Sequence, residues 1–173
     1  HEYRKLATVL DVLLEHEADP IERRLYMLRS ARIYEQHLRN PDSAFEWTRR
    51  VLQEHPTDAE ARTELERLGG LTHQWSTVHD DLVAALGNAA GEPEAQLEIT
   101  LTLARILDQN MGQVHDALAR YHDALSIAPD NEIALDAVEN LYTRLANWHE
   151  LLGVIDRKLA LADGVSARKV LLR

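Results

Sequence analysis

Residues 117–129 read ALARYHDALSIAP. Ala117, Tyr121, Ala124 and Leu125 fall on one side of a helix, and Pro129 closes the run. Steps of four, three and one are the spacing of a helical stripe, whereas a strand would alternate apolar and polar residues. Seventy-three residues upstream the same frame recurs as Ala44, Thr48, Val51, Leu52 and Pro56. That recurrence sets the class of protein: an array of repeated helical units, built to bind something.

Laying residues 3–75 over 76–148 needs no gap. Identical pairs include Leu13/Leu86, Pro20/Pro93, Leu28/Leu101, Ala31/Ala104, Arg32/Arg105, Ile33/Ile106 and Gln36/Gln109. They continue through Ala44/Ala117, Leu52/Leu125, Pro56/Pro129, Ala61/Ala134, Leu68/Leu141 and Trp75/Trp148. Pro20, Pro56, Pro93 and Pro129 follow one another at steps of 36, 37 and 36, and Pro41 opens a further helix. Proline is tolerated where a helix begins, and none interrupts a stripe. The pattern predicts helices near 3–16, 21–38, 42–54, 57–69, 74–88, 93–110, 114–127, 131–145 and 148–162, with another starting near 166. Turns are expected at Glu17-Ala18-Asp19, Gly69-Gly70, Gly87-Asn88 with Gly91, Gly112 and Asp163-Gly164. No stretch alternates over strand length.

The frame A-x3-Y-x2-A-L-x3-P at Ala117, Tyr121, Ala124, Leu125 and Pro129 resembles the second helix of a tetratricopeptide repeat. The matching first helix carries Ala104 and Leu107, and in the copy before it Ala31 and Tyr34. The resemblance implies an all-α fold: a right-handed α-solenoid of stacked antiparallel helical hairpins, here with a 73-residue double-hairpin period. Hairpins are expected at 20–56 and 93–129, and degenerate ones at 57–92 and 130–164. The degenerate hairpins keep the stripes Val78, Leu82, Leu86 and Leu151, Ile155, Leu159, but carry Glu66 and Glu139 where a small residue is expected. Residues 1–19 would be the second helix of a truncated hairpin, and 165–173 the start of another. Ala31, Ala44, Ala104 and Ala117 let helices approach, while Tyr34, Tyr121, Leu52 and Leu125 fill the space between.

Composition narrows the function. The chain of 173 residues has a net charge of −10, 45% hydrophobic and 5% aromatic residues, and no cysteine. A palette led by Ala and Leu suits packed helices better than sheets. Residues 76–148 hold only Arg105, Arg120 and Arg144 as basic side chains, among a dozen acidic ones. Without clustered Lys and Arg, neither nucleic acid nor an anionic membrane is an expected partner. The absence of cysteine removes thiolate nucleophiles and cysteine-ligated metals. No apolar run reaches the roughly 18 residues that would span a bilayer, and a cytoplasmic location is expected.

No constellation argues for catalysis, a cofactor or a metal. His115 and His122 lie seven apart, and His73 and His79 flank Trp75, but no pair has the spacing of a helical zinc site. Asp80-Asp81 and Glu15, Glu17 and Asp19 fall at helix ends, where carboxylates serve as caps. There is no phosphate loop and no nucleophile elbow. Trp75 and Trp148 open equivalent helices, and each is expected to pack over the junction with the next hairpin. Trp47, whose counterpart is Arg120, is expected to be at least half exposed.

In proteins resembling this family the first helix of each hairpin lines the concave groove. That frame puts Arg32 and Arg105 one residue beyond the small position, facing the groove, with Arg67 and Asn140 at the equivalent places of the degenerate hairpins. Guanidinium groups there would recognise carboxylates of an acidic partner. The competing reading pairs Arg32 with Glu35 and Arg105 with Asp108 along their own helices. The expected function is a non-catalytic protein–protein interaction scaffold, part of a larger repeat protein, holding a protein or peptide in the groove. The alternative is a regulatory or sensor domain attached to an enzymatic or DNA-binding domain. The truncated ends would favour end-to-end self-association.

Overall fold

Proline at the first helical position forgoes only an N–H that would be unpaired anyway, and Asp or Asn just before it accepts from the opening turn. Pro20, Pro41 and Pro93 each begin a helix in the computed structural model, which describes residues 2–171, with side chains for 2–162. Nine α-helices occur among the described residues: α1 Glu2–His16, α2 Pro20–Arg32, α3 Pro41–Glu54, α4 Ala59–Thr72, α5 Trp75–Asn88, α6 Pro93–Gln109, α7 Val114–Ile127, α8 Glu132–Arg144 and α9 Trp148–Leu171. Asp19, Asn40, Asp58 and Asn131 cap α2, α3, α4 and α8 through N–H donors of Ile21, Ser43, Ala61 and Ala134 at 2.8–3.0 Å. The described residues contain no strand.

Two expected turns are helical instead. Gly69 and Gly70 lie inside α4, which continues to Thr72 and ends on His73 in the left-handed conformation at φ 56°. These glycines admit a neighbour rather than bend the chain. A β-carbon at Gly69 would fall 2.3 Å from Val78 Cγ2, and one at Gly70 would fall 3.2 Å from the Trp75 ring. The α9 backbone likewise runs unbroken through Asp163-Gly164 to Leu171. The side chains of the truncated hairpin expected at 165–173 lie outside the described residues.

A third local departure is in α2, whose last turn widens to a π-helix over Ile33–His37, with Leu38 N–H donating to Ile33 O at 3.1 Å. Arg39 then takes a left-handed φ of 51°, as Gly112 does (φ 67°) after α6.

The chain divides into two units, His1–Gln96 and Leu97–Arg173. In the first, Ala44, Phe45, Val51, Leu65, Val78 and Leu82 lose all contact with solvent. Ala7, Leu10 and Ile33 form a satellite cluster against Tyr26 and Tyr34. In the second, Ala104, Ala117, Tyr121, Ala124 and Leu125 join Leu135, Val138 and Leu141 in one core. The small residues of the sequence frame are therefore where helices meet, and each fully buried Leu contributes about 1.5–3 kcal/mol of transfer free energy.

Candidate partner-binding site

Adjacent first helices meet along a face where long charged side chains cross from one helix to the next. In the first unit α2 lies beside α4. Arg24 on α2 grips Asp58 and reaches Glu60 at 2.8 Å, while Arg32 reaches the other Glu60 oxygen at 3.0 Å. From the opposite side, Arg67 on α4 donates to both Glu35 oxygens at 2.7 Å and to Glu64 of its own helix at 2.6 Å. Glu35 thus serves Arg67 across the helix gap. The hydrogen bond from Arg67 holds the Glu64 carboxyl below its ordinary value, and Arg67 is itself pushed up by its two carboxylates.

Between these pairs lies a cavity of about 260 Å³. Leu28, Ala31 and Leu68 form its apolar part, and Arg32, Glu35, Glu60 and Glu64 its charged part. Arg32 lines this cavity, and Arg67 pairs with Glu35 and Glu64 of its wall; both arginines are solvent-accessible, at 64% and 42% of the side chain. The pairing of Arg32 with Glu35 read from the sequence is replaced by one with Glu60, and Glu35 goes to Arg67. The spacing missed Glu60 and Glu64 as partners, because one comes from the neighbouring helix and the other from the next helical turn.

In the second unit Arg105 lies on α6, part-buried beside Tyr121, whose hydroxyl is pushed up by burial and by nearby Asp108 while Arg105 pulls it down. Arg144 on α8 donates to Asp108 at 2.5 Å. Asn140 is exposed on α8 and donates to the Asp136 carbonyl at 2.9 Å. Lys158 on α9 clasps Asp136 and Glu139. Glu139, read as a lapse from the small-residue pattern, is the ion-pair partner of the next helix.

The other candidates do structural work. Asp81 binds Arg49 at 2.5 Å, Asp80 meets His79 at 3.1 Å, and Glu17 accepts from Asp19 N–H at 3.0 Å. Trp75 lies over Gly70 of its own hairpin, whereas Trp148, with Thr143 in the place of that glycine, is 60% exposed. Trp47 is less exposed than the sequence predicts: it is part-buried beneath the Arg50 guanidinium, 4.5 Å from the ring centroid. No group of three His, Asp or Glu side chains suited to a metal occurs among the described residues, and no helix there is long and apolar enough to cross a membrane.

Residues 134–169, which span α8 and most of α9, match the tetratricopeptide repeat family. The chain is a tetratricopeptide-like helical repeat. The match falls on a hairpin that the sequence frame alone reads as degenerate. Across the tetratricopeptide-like fold, a crystal structure of MamA aligns with a TM-score of 0.61 at 17% identity, covering 95% of this chain and 91% of that one. A second MamA structure, MamA AMB-1, gives 0.58 at 19% identity over 99% and 89%. BtubC (BKLC) from P. vanneervenii gives 0.61 at 14% identity over 95% and 75%. At these identities the likeness is one of fold. No curated protein sequence matches the chain.

Proposed function

We propose that this tetratricopeptide-like chain is a non-catalytic interaction scaffold that holds a partner polypeptide along the first-helix face of its hairpins. Arg32 and Arg67 would be the contacts in the first unit, and Arg105 and Asn140 those in the second. The observation that carries the reading is the cavity between α2 and α4, with its apolar floor, the solvent-accessible Arg32 on its lining and Arg67 on the glutamates of its wall. A carboxylate of the partner would replace a glutamate on Arg32 or Arg67, so recognition there is an exchange of ion pairs. Exchange favours sequence selectivity over raw affinity, since the displaced glutamate must be rehydrated. Selection of peptides from a random displayed library should enrich Asp- and Glu-bearing sequences. Replacing Arg32, Arg67 and Arg105 together by Gln should abolish their binding while the helical circular-dichroism signal is retained. Retained binding by that variant would remove the groove assignment.

A self-association reading has its own observation. Val9, Val12 and Leu13 on α1, and Ile21 and Leu25 on α2, are 43–69% exposed. Sedimentation velocity should resolve concentration-dependent dimers that Val9→Glu with Val12→Glu dissociates.

A further inference from the structure

A cavity of about 430 Å³, distinct from the groove, is lined from α1, α2 and α3. Leu14, Met27 and Trp47 supply its apolar surface, and part of its charge is already committed. Arg23 binds the two Glu54 oxygens at 2.8 and 2.6 Å and the Leu14 carbonyl at 2.8 Å. Two of the remaining charged groups define its chemistry. Asp11 Oδ1 is buried without a hydrogen-bond partner. The Arg50 guanidinium rests on the Trp47 ring and has neither hydrogen bond nor ion pair among the described residues.

A buried acceptor left without a donor is costly, and native proteins keep few of them. Burial pushes the Asp11 carboxyl up while Arg50 pulls it down, so each group feels the other without joining it. The requirements of repeat stacking do not account for the set: the residues 73 positions on from Asp11, Trp47 and Arg50 are Ala84, Arg120 and Asp123. The chemistry of an occupant follows by complementarity. An anion would satisfy Arg50 but face Asp11 and Glu15, and a cation would satisfy Asp11 but face Arg50. A neutral group with both a donor and an acceptor serves the two at once.

We propose that this cavity docks a carboxamide, the side chain of an Asn or Gln presented by a partner polypeptide, its N–H donating to Asp11 Oδ1 and its carbonyl accepting from Arg50. The methylene stem would lie against Leu14 and Met27. The site does not depend on the groove.

The test uses three probes of equal size, propionamide, propionate and propylammonium, titrated into the labelled chain while the Trp47 indole and Arg50 Nε–H signals are followed by NMR. Propionamide should give a saturable shift of both signals, several-fold larger than either ion. Asp11→Leu should abolish the shift and raise the melting temperature, because it removes the unpaired acceptor. Arg50→Met, at an exposed position, should abolish it without unfolding the chain. The groove substitutions at Arg32, Arg67 and Arg105 should leave it unchanged. The assignment is overturned if an ion shifts the signals as strongly, if no probe saturates because the cavity holds water only, or if either variant keeps the propionamide shift. A lower melting temperature in Asp11→Leu would also overturn it, by revealing a structural role for the carboxylate.

Discussion

Gly69 sits in mid-helix, where glycine ordinarily costs about 1 kcal/mol relative to alanine. Gly69→Ala therefore ought to stabilise α4 on propensity alone. The neighbour decides otherwise, since the new β-carbon would lie 2.3 Å from Val78 Cγ2 with Phe45 Cε2 close by at 3.6 Å. Val78 and Phe45 are fully buried, and a β-branched side chain has little freedom to withdraw. We expect Gly69→Ala to cost about 1–3 kcal/mol in urea unfolding, with part of the loss recovered by adding Val78→Ala. This explains why the Gly-Gly pair reads as a turn in the sequence: what makes it a packing device is a residue nine positions away on another helix. The same holds for Arg32 and Arg67. Their register along successive first helices is legible, but their partners Glu60 and Glu35 are tertiary.

Helix limits were the most legible feature, because they rest on local chemistry. Pro20, Pro41 and Pro93 each mark a first residue, and the apolar stripe of α7 is buried as the spacing requires, at Ala117, Tyr121, Ala124 and Leu125. On this helix Ala117→Leu should overpack a site with no accessible surface and cost about 1–3 kcal/mol. Arg120 lies on the other side and, among the described residues, pairs only with Asp123, at 3.3 Å. Arg120→Leu should change stability by no more than about 0.5 kcal/mol. Thermal unfolding of both variants checks the assignment of faces, and equal losses would refute it. What the pattern could not foresee at this scale is the π-helical end of α2, since Ile33–His37 and the α-helical Ile106–Gln109 share Ile and Gln at matching positions.

At the scale of the whole molecule, charges link several helices to a near neighbour, and this gives the fold an acid limit. The first unit holds three carboxyls below their ordinary values: Glu54 through Arg23, Glu64 through Arg67, and Asp58, where burial alone would raise it but the Arg24 hydrogen bond and the Ala61 N–H prevail. A carboxyl depressed in the folded state contributes stability that is complete above its unfolded value, 4.5 for Glu and 3.8 for Asp. That contribution disappears as pH falls through the folded value. The melting temperature should therefore hold between about pH 5 and 7 and decline below pH 4.5. Arg67→Gln should lower it at pH 7, and the effect should vanish as pH falls through the folded value of Glu64, below which that carboxyl is protonated in either protein. A pH-independent effect of the substitution would mean that Arg67 acts through packing.

The interlock of Gly69 with Val78 also bears on how such chains diverge. Through the 73-residue step these positions correspond to Tyr142 and Leu151, a bulky pair in place of an empty one, and the Tyr142 hydroxyl turns outward to His122 Nε2 at 2.8 Å. Two occupants of one joint cannot be exchanged singly: a ring at 69 would have nowhere to go, and a glycine at 142 would leave a hole. Among relatives of this chain, the columns holding residues 69 and 78 should therefore covary, with glycine retained wherever valine is.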